Sequence, residues 1–250
     1  SRNLTLQQDR TQSTQILINA LKKENRKSQA FAEMSAVLDE VSTVFYTEKA
    51  QQVYELALSS LENDLVISHS RLQEGLRLEP NNLVLLIQIS RTFIAANDCA
   101  QAQTFKQKAR DMNPWSTEVD LLAAQVALCL DQRDKYFAVK STLDPKVYSQ
   151  NIYWMNLEAE VMSRTGQLEI AKEHATTVTK LEPSFPEGYL LLYKILEKQK
   201  LNSIEPGKKY LLLCKSLTHK LRRQWIFEPR LCREVNDIEL TLRKKGGVNE

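Results

Sequence analysis

An all-α array of paired helices is the fold this sequence predicts, and three observations predict it. The phrases Leu78-Glu79-Pro80, Met112-Asn113-Pro114, Leu143-Asp144-Pro145 and Leu181-Glu182-Pro183 each follow one amphipathic stretch and precede another. Their prolines stand 34, 31 and 38 residues apart, a helix stop recurring at the period of helix–turn–helix repeats. Only six glycines and seven prolines serve 250 residues, too few for the many tight turns of a sandwich or a doubly wound sheet. With 42% apolar and 26% charged residues, the chain has the composition of a folded protein.

The elements follow in order. Residues 1–48 read as one long helix or two consecutive ones. Ile16, Leu17, Ala20 and Leu21 form a first stripe, and Phe31, Met34, Val37, Leu38, Val41, Val44 and Phe45 continue at three- and four-residue steps. The polar stretch from Lys22 to Gln29 separates them. This segment is expected to cap the array or to connect it to something upstream.

Residues 49–220 hold the repeats. The unit ending at Pro114 has Leu86, Ile89, Ser90 and Phe93 on its first helix, with Ala102 and Ala109 at the small positions of its second. The unit ending at Pro183 carries Gly166-Gln167-Leu168-Glu169-Ile170-Ala171, then Ala175 and Leu181, with Glu158 where a leucine is expected. The unit ending at Pro80 has Leu56, Gly75 and Leu78 but Ser68 at its first small position, and the unit ending at Pro145 is about three residues short. Tyr189, Leu192, Tyr193 and Leu196 open a last unit that continues through Gly207, Tyr210 and Cys214. These units resemble tetratricopeptide repeats over about two-thirds of the chain. The resemblance implies antiparallel helix pairs stacked into a right-handed superhelix, with small residues where paired helices cross at about 8–10 Å.

Residues 221–250 open with Arg222-Arg223-Gln224-Trp225-Ile226-Phe227-Glu228-Pro229-Arg230-Leu231. Val235, Ile238 and Leu242 mark a final amphipathic helix that ends at Gly246-Gly247. A repeat array needs such a terminal helix to cover its last apolar surface, so Trp225, Phe227 and Leu231 are expected to pack as a cap. This short phrase is also similar to the ends of tetratricopeptide regions in some bacterial transcription regulators.

Charge and chemistry narrow the function. The net +3 conceals an excess of +7 between Lys208 and Lys245, which suits a solvated cap or an acidic partner. Cys99, Cys129, Cys214 and Cys232 have neither Cys-x-x-Cys spacing nor histidines at ligand spacing. They are expected to be buried free thiols in a reducing compartment, which places the protein in the cytoplasm. No apolar run reaches about 18 residues, so no membrane span is expected. His69, His174 and His219 lie far apart and read as surface residues. No phosphate loop, nucleophile elbow or metal motif occurs. The expectation is therefore a non-catalytic protein without cofactor or metal.

The resemblance implies that the first helix of each unit lines a concave groove. Its positions here are Ile87, Arg91, Leu121, Gln125, Asn156, Glu160 and Lys194, the candidate contacts for a partner's helix or extended peptide. The family's clamp for a C-terminal carboxylate is not matched, since Val53, Ala57, Gln88 and Glu118 stand at its places. The expected role is a protein-interaction scaffold, the regulatory or assembly part of a larger signalling chain. The missing initiator methionine favours an excised piece of such a chain. Nucleic-acid binding through the basic C-terminal third is one alternative. A periplasmic secretion or pilus-assembly factor, needing a lipidated cysteine upstream, is another. An amphipathic stretch such as Phe31–Phe45 also leaves a homodimer open.

Overall fold

The computed structural model describes residues 45–61, 64–143, 145–149, 151–218 and 225–246. The amphipathic stripes between Ile16 and Val44, the arginine pair Arg222-Arg223, and His219 lie outside the described residues. Those described carry helices and no strand. The chain divides into two compact units between Leu130 and Asp131.

The first unit contains α1 (Glu48–Ser60), α2 (Leu65–Leu78), α3 (Leu83–Ala95), α4 (Cys99–Met112) and α5 (Thr117–Cys129). Helix α1 pairs with α2 and α3 with α4, while α2 packs on α3, α4 on α5, and α3 lies beside α5. The second unit contains α6 (Arg133–Ser141), α7 (Pro145–Ser149), α8 (Ile152–Arg164), α9 (Leu168–Leu181), α10 (Pro186–Lys198), α11 (Ile204–Lys215) and α12 (Val235–Lys244). There α8 pairs with α9 and α10 with α11, α9 packs on α10, α8 lies beside α10, and α12 covers α11.

The starts of these helices are written locally. Side chains of Thr47, Asp64, Asn82, Asp98 and Asn151 accept hydrogen bonds from first-turn N–H groups that have no helical partner. Pro186 occupies the first turn of α10, where its missing N–H costs nothing. The ends are equally specific. Glu79, Asn113 and Glu182 close α2, α4 and α9 with nearly identical backbone, φ/ψ of −134°/80°, −136°/86° and −134°/83°. The proline that follows each excludes the helical conformation from the residue before it. Pro145 behaves differently: it opens the short helix α7 instead of following a unit's last helix. Helix α6 has only nine residues and has already ended at Ser141.

A more regular period appears in the turns that follow helices α3, α5, α8 and α10. Asn97, Asp131, Gly166 and Lys200 all have left-handed backbone, φ 59°, 53°, 82° and 57°, at steps of 34, 35 and 34 residues. Around three of them an N–H reaches back over the last helical turn, Asp98 to Phe93 O, Gln167 to Met162 O and Leu201 to Leu196 O, each at 2.9 Å. This is the bond pattern that closes a helix through a left-handed residue. Only Gly166 adopts that conformation without a Cβ penalty.

Small residues sit at the crossings. Ala102 and Ala109 are fully buried with Leu86, Val119 and Leu122, while Ala171 and Ala175 are buried with Ala159 and Ile195. A Cβ on Gly207 would come within 3.0 Å of both Leu242 and Tyr193, so α12 reaches α11 closely only because that position is bare. Glu158 is accommodated by partners: its Oε2 accepts from the Tyr136 hydroxyl and the Lys140 ammonium, both at 2.7 Å. Burial and this carboxylate push the Tyr136 hydroxyl far above its usual range, so it stays a donor.

Candidate partner-binding site

In the first unit, Ile87 and Arg91 stand on α3 and Leu121 and Gln125 on α5. All four are buried, none above 5% exposed. Ten of the thirteen residues of α3 are buried, so the helix is enclosed on nearly every side and its inner positions belong to the interior. Ile87 joins the cluster of Leu83, Leu86 and Val119, and the Arg91 guanidinium meets the Glu118 carboxylate at 3.2 Å. Val53, Ala57 and Gln88 are likewise buried.

The second unit is different. Asn156, Glu160 and Lys194 line one cavity of about 280 Å³. Helix periodicity brings them there: Asn156, Glu160, Ser163 and Arg164 repeat along one face of α8, and Glu187, Leu190, Leu191, Lys194 and Lys198 along one face of α10. A third wall comes from Glu228, Arg230 and Glu234, which precede α12.

Four kinds of contact hold that third wall. Trp225 is buried against Phe185, ring centroids 5.1 Å apart, and Phe227 meets Tyr153 at 5.3 Å. Cys232 is disulfide-bonded to Cys214 of α11. The Cys232 N–H donates to Glu187 Oε1 at 2.7 Å, and the Glu234 N–H donates to the Tyr210 hydroxyl oxygen at 3.2 Å. Lys194 Nζ pairs with Glu234 Oε1 at 2.5 Å. Trp225, Phe227 and Leu231 thus pack as the sequence suggests, with Leu231 against the cluster of Val178, Phe185 and Trp225.

The cavity's charges are unevenly satisfied. Glu160 pairs with Arg164 one turn along α8. Lys198 Nζ donates to Ser163 O at 3.2 Å and Ser163 Oγ at 2.9 Å, with no ion pair among the described residues. Glu187 is buried, and desolvation raises its carboxyl well above the usual carboxylate range. Glu228 and Glu234 add to that rise, while the Cys232 N–H and Lys194 oppose it. Asn156 is 8% exposed, and its Oδ1 has no hydrogen-bond partner among the described residues.

The expectation of free thiols is overturned. Cys99 is bonded to Cys129 and Cys214 to Cys232, and no described cysteine is free. The bonds join residues 30 and 18 positions apart: Cys99 at the start of α4 meets Cys129 at the end of α5, and Cys214 in the last turn of α11 meets Cys232 in the segment before α12. The even cysteine count was the one available signal, and their apolar surroundings fit thiols and disulfides alike. His69 is half-buried edge-on to Phe93, centroids 4.3 Å apart, which depresses its imidazole pKa by desolvation. No described helix is long and apolar enough to cross a membrane.

No protein-family model matches the chain, and no curated protein matches it. Among solved structures it is similar to PilW, described as a widely conserved type IV pilus biogenesis factor. The TM-score is 0.54 at 15% identity, over 82% of this chain and 96% of that one. It is also similar to PilF of Pseudomonas aeruginosa, TM-score 0.49 at 16% identity, over 79% of this chain and 92% of that one. At such identity PilW speaks for the fold. With the helix pairs and their repeated turns described above, that fold is of the tetratricopeptide type.

Proposed function

We propose that this chain is a non-catalytic scaffold whose second unit binds a segment of a partner protein in the cavity between α8 and α10. The observation that carries this reading is the cavity itself. It brings together Asn156, Glu160 and Lys194 from two inner helices, and the buried Asn156 Oδ1 there has no hydrogen-bond partner among the described residues. Ten of the twelve lining residues are polar or charged, so the concave site offers hydrogen bonds and charge to a polar segment. The four inner positions of the first unit serve packing in this reading, and Asn156, Glu160 and Lys194 are the contacts.

Of the finer roles, the two disulfides favour one outside the reducing cytoplasm, such as a periplasmic secretion or pilus-assembly factor, over a cytoplasmic signalling regulator. The basic C-terminal third supports nucleic-acid binding poorly. Lys194, Lys208, Lys215, Arg243 and Lys245 all meet carboxylates of the same chain.

The test is a random displayed-peptide library panned on the purified protein. Enriched peptides are expected to lose at least tenfold in affinity on Lys194→Glu or Asn156→Leu and to be indifferent to Lys180→Ala on the outer helix α9. Enriched peptides that bind both cavity variants as well as the parent, or a library that enriches nothing, would refute the reading.

A further inference from the structure

Two buried polar groups of the cavity are acceptors that meet no cation at ion-pair distance among the described residues. Asn156 Oδ1 has no partner among the described residues, and the Glu187 carboxyl receives one N–H, from Cys232. Asn156 and Glu187 are 8% and 6% exposed. Of the cavity's four cations, Arg164, Lys194, Lys198 and Arg230, the first three stand further out. The side chains of Arg164 and Lys194 are 29% and 42% exposed and already meet Glu160 and Glu234. Lys198 is exposed and turned onto Ser163. A buried acceptor left unpaired and a buried carboxyl without a direct ion pair both lower the free energy of a complex that supplies donors and positive charge.

We propose that this cavity receives a primary ammonium group, the side chain of a lysine presented by the partner segment, with its N–H donors directed at Asn156 Oδ1 and Glu187. The proposal rests on the reading that the cavity holds a partner segment, and adds the chemistry of the group that enters. A lysine side chain is slender enough for about 280 Å³ and long enough to pass the charged rim. The apolar stem would lie along Leu190 and Leu191.

The pH dependence follows. Glu187 is held toward its protonated form by burial, Glu228 and Glu234, while Lys194 and the Cys232 N–H favour ionisation. The Tyr210 hydroxyl, which the Glu234 N–H reaches, stays protonated and contributes no charge. Binding of an ammonium ionises Glu187, and its proton passes to solvent. Affinity therefore rises with pH through the range in which free Glu187 loses its proton.

The experiment is a nuclear magnetic resonance titration with three end-blocked pentapeptides, Gly-Gly-X-Gly-Gly. In these X is lysine, acetyl-lysine or glutamate. The lysine peptide is expected to shift the Asn156 side-chain amide and the Glu187 carboxyl resonances, with at least fivefold tighter binding at pH 8 than at pH 5. Affinity should fall at least tenfold in Glu187→Gln, which keeps an acceptor for the Cys232 N–H and so preserves the segment. Equal binding of acetyl-lysine or glutamate peptides, no shift with the lysine peptide, or unchanged affinity in Glu187→Gln would overturn the ammonium assignment. The wider scaffold reading has its own readout: library peptides lacking lysine that still depend on Asn156 and Lys194 would leave it standing while removing the ammonium.

Discussion

Glu187 illustrates how one side chain links chemistry to stability. Its carboxyl titrates higher in the folded chain than in the unfolded one, because burial and Glu228 disfavour the charge. The folded state therefore holds a proton that the unfolded state has released. Its contribution to stability is complete below the unfolded value, about 4.3, and is lost as pH rises through the folded value. Urea unfolding of Glu187→Gln should accordingly show a variant more stable than the parent at pH 8, with the advantage vanishing at pH 4; an advantage at pH 4 that disappears at pH 8 would contradict this. Tyr136 makes a second case. Its hydroxyl bonds a carboxylate that replaces an apolar repeat residue, so Tyr136→Phe should cost about 1.5–3 kcal/mol in chemical denaturation. In a Glu158→Leu background, which restores the expected leucine, the same change should cost far less.

The helices owe their boundaries to short-range rules and their pairing to what lies at the crossings. Ala171 is fully buried between α9 and its neighbours, so Ala171→Leu overpacks the contact and should cost about 1–3 kcal/mol. The turns offer a change of opposite sign. Lys200 bears a Cβ in left-handed backbone, where an L-residue pays about 1–2 kcal/mol. Lys200→Gly should raise the melting temperature, by the part of that cost which the greater unfolded-state freedom of glycine does not cancel. A fall in melting temperature would mean that Lys200 makes contacts worth more than its strain.

The two disulfides tie elements far apart in sequence, one in each unit: α4 to the end of α5, and α11 to the segment before α12. Closing loops of 30 and 18 residues restricts the unfolded chain and stabilises each unit by about 2–4 kcal/mol. Protein isolated under non-reducing conditions should show no free thiol among its four cysteines. Its peptide map should link Cys99 to Cys129 and Cys214 to Cys232, and a reductant should lower the melting temperature. Four titratable thiols in the native protein would remove both the bonds and the argument for an oxidising compartment.

Much of the architecture was legible along the chain because helix stops, caps and small crossing residues are local properties. Leu-Glu-Pro and Met-Asn-Pro end helices wherever they occur, and Ala102, Ala109, Ala171 and Ala175 were placed by counting from those prolines. The 34- and 35-residue step of left-handed turns was hidden, since Asn97, Asp131 and Lys200 look like ordinary loop residues until their backbone is seen. Pro145 misled for the converse reason: proline permits both the stop of one helix and the first turn of the next. The cavity was beyond any one-dimensional reading. Asn156, Glu160 and Lys194 could be named from their helix positions and line the cavity, whereas Ile87, Arg91, Leu121 and Gln125 matched the same positions and lie in the interior of the first unit. Burial depends on what packs against a helix, and Glu187 meets Cys232 only through a contact 45 residues distant. The sequence alone thus determined the helices and their succession, because torsional preference and periodicity act within a turn or two. The choice of which inner face stays open, which cysteines pair and which carboxyl loses its solvent was left to tertiary packing, because each depends on long-range contacts that no local pattern specifies.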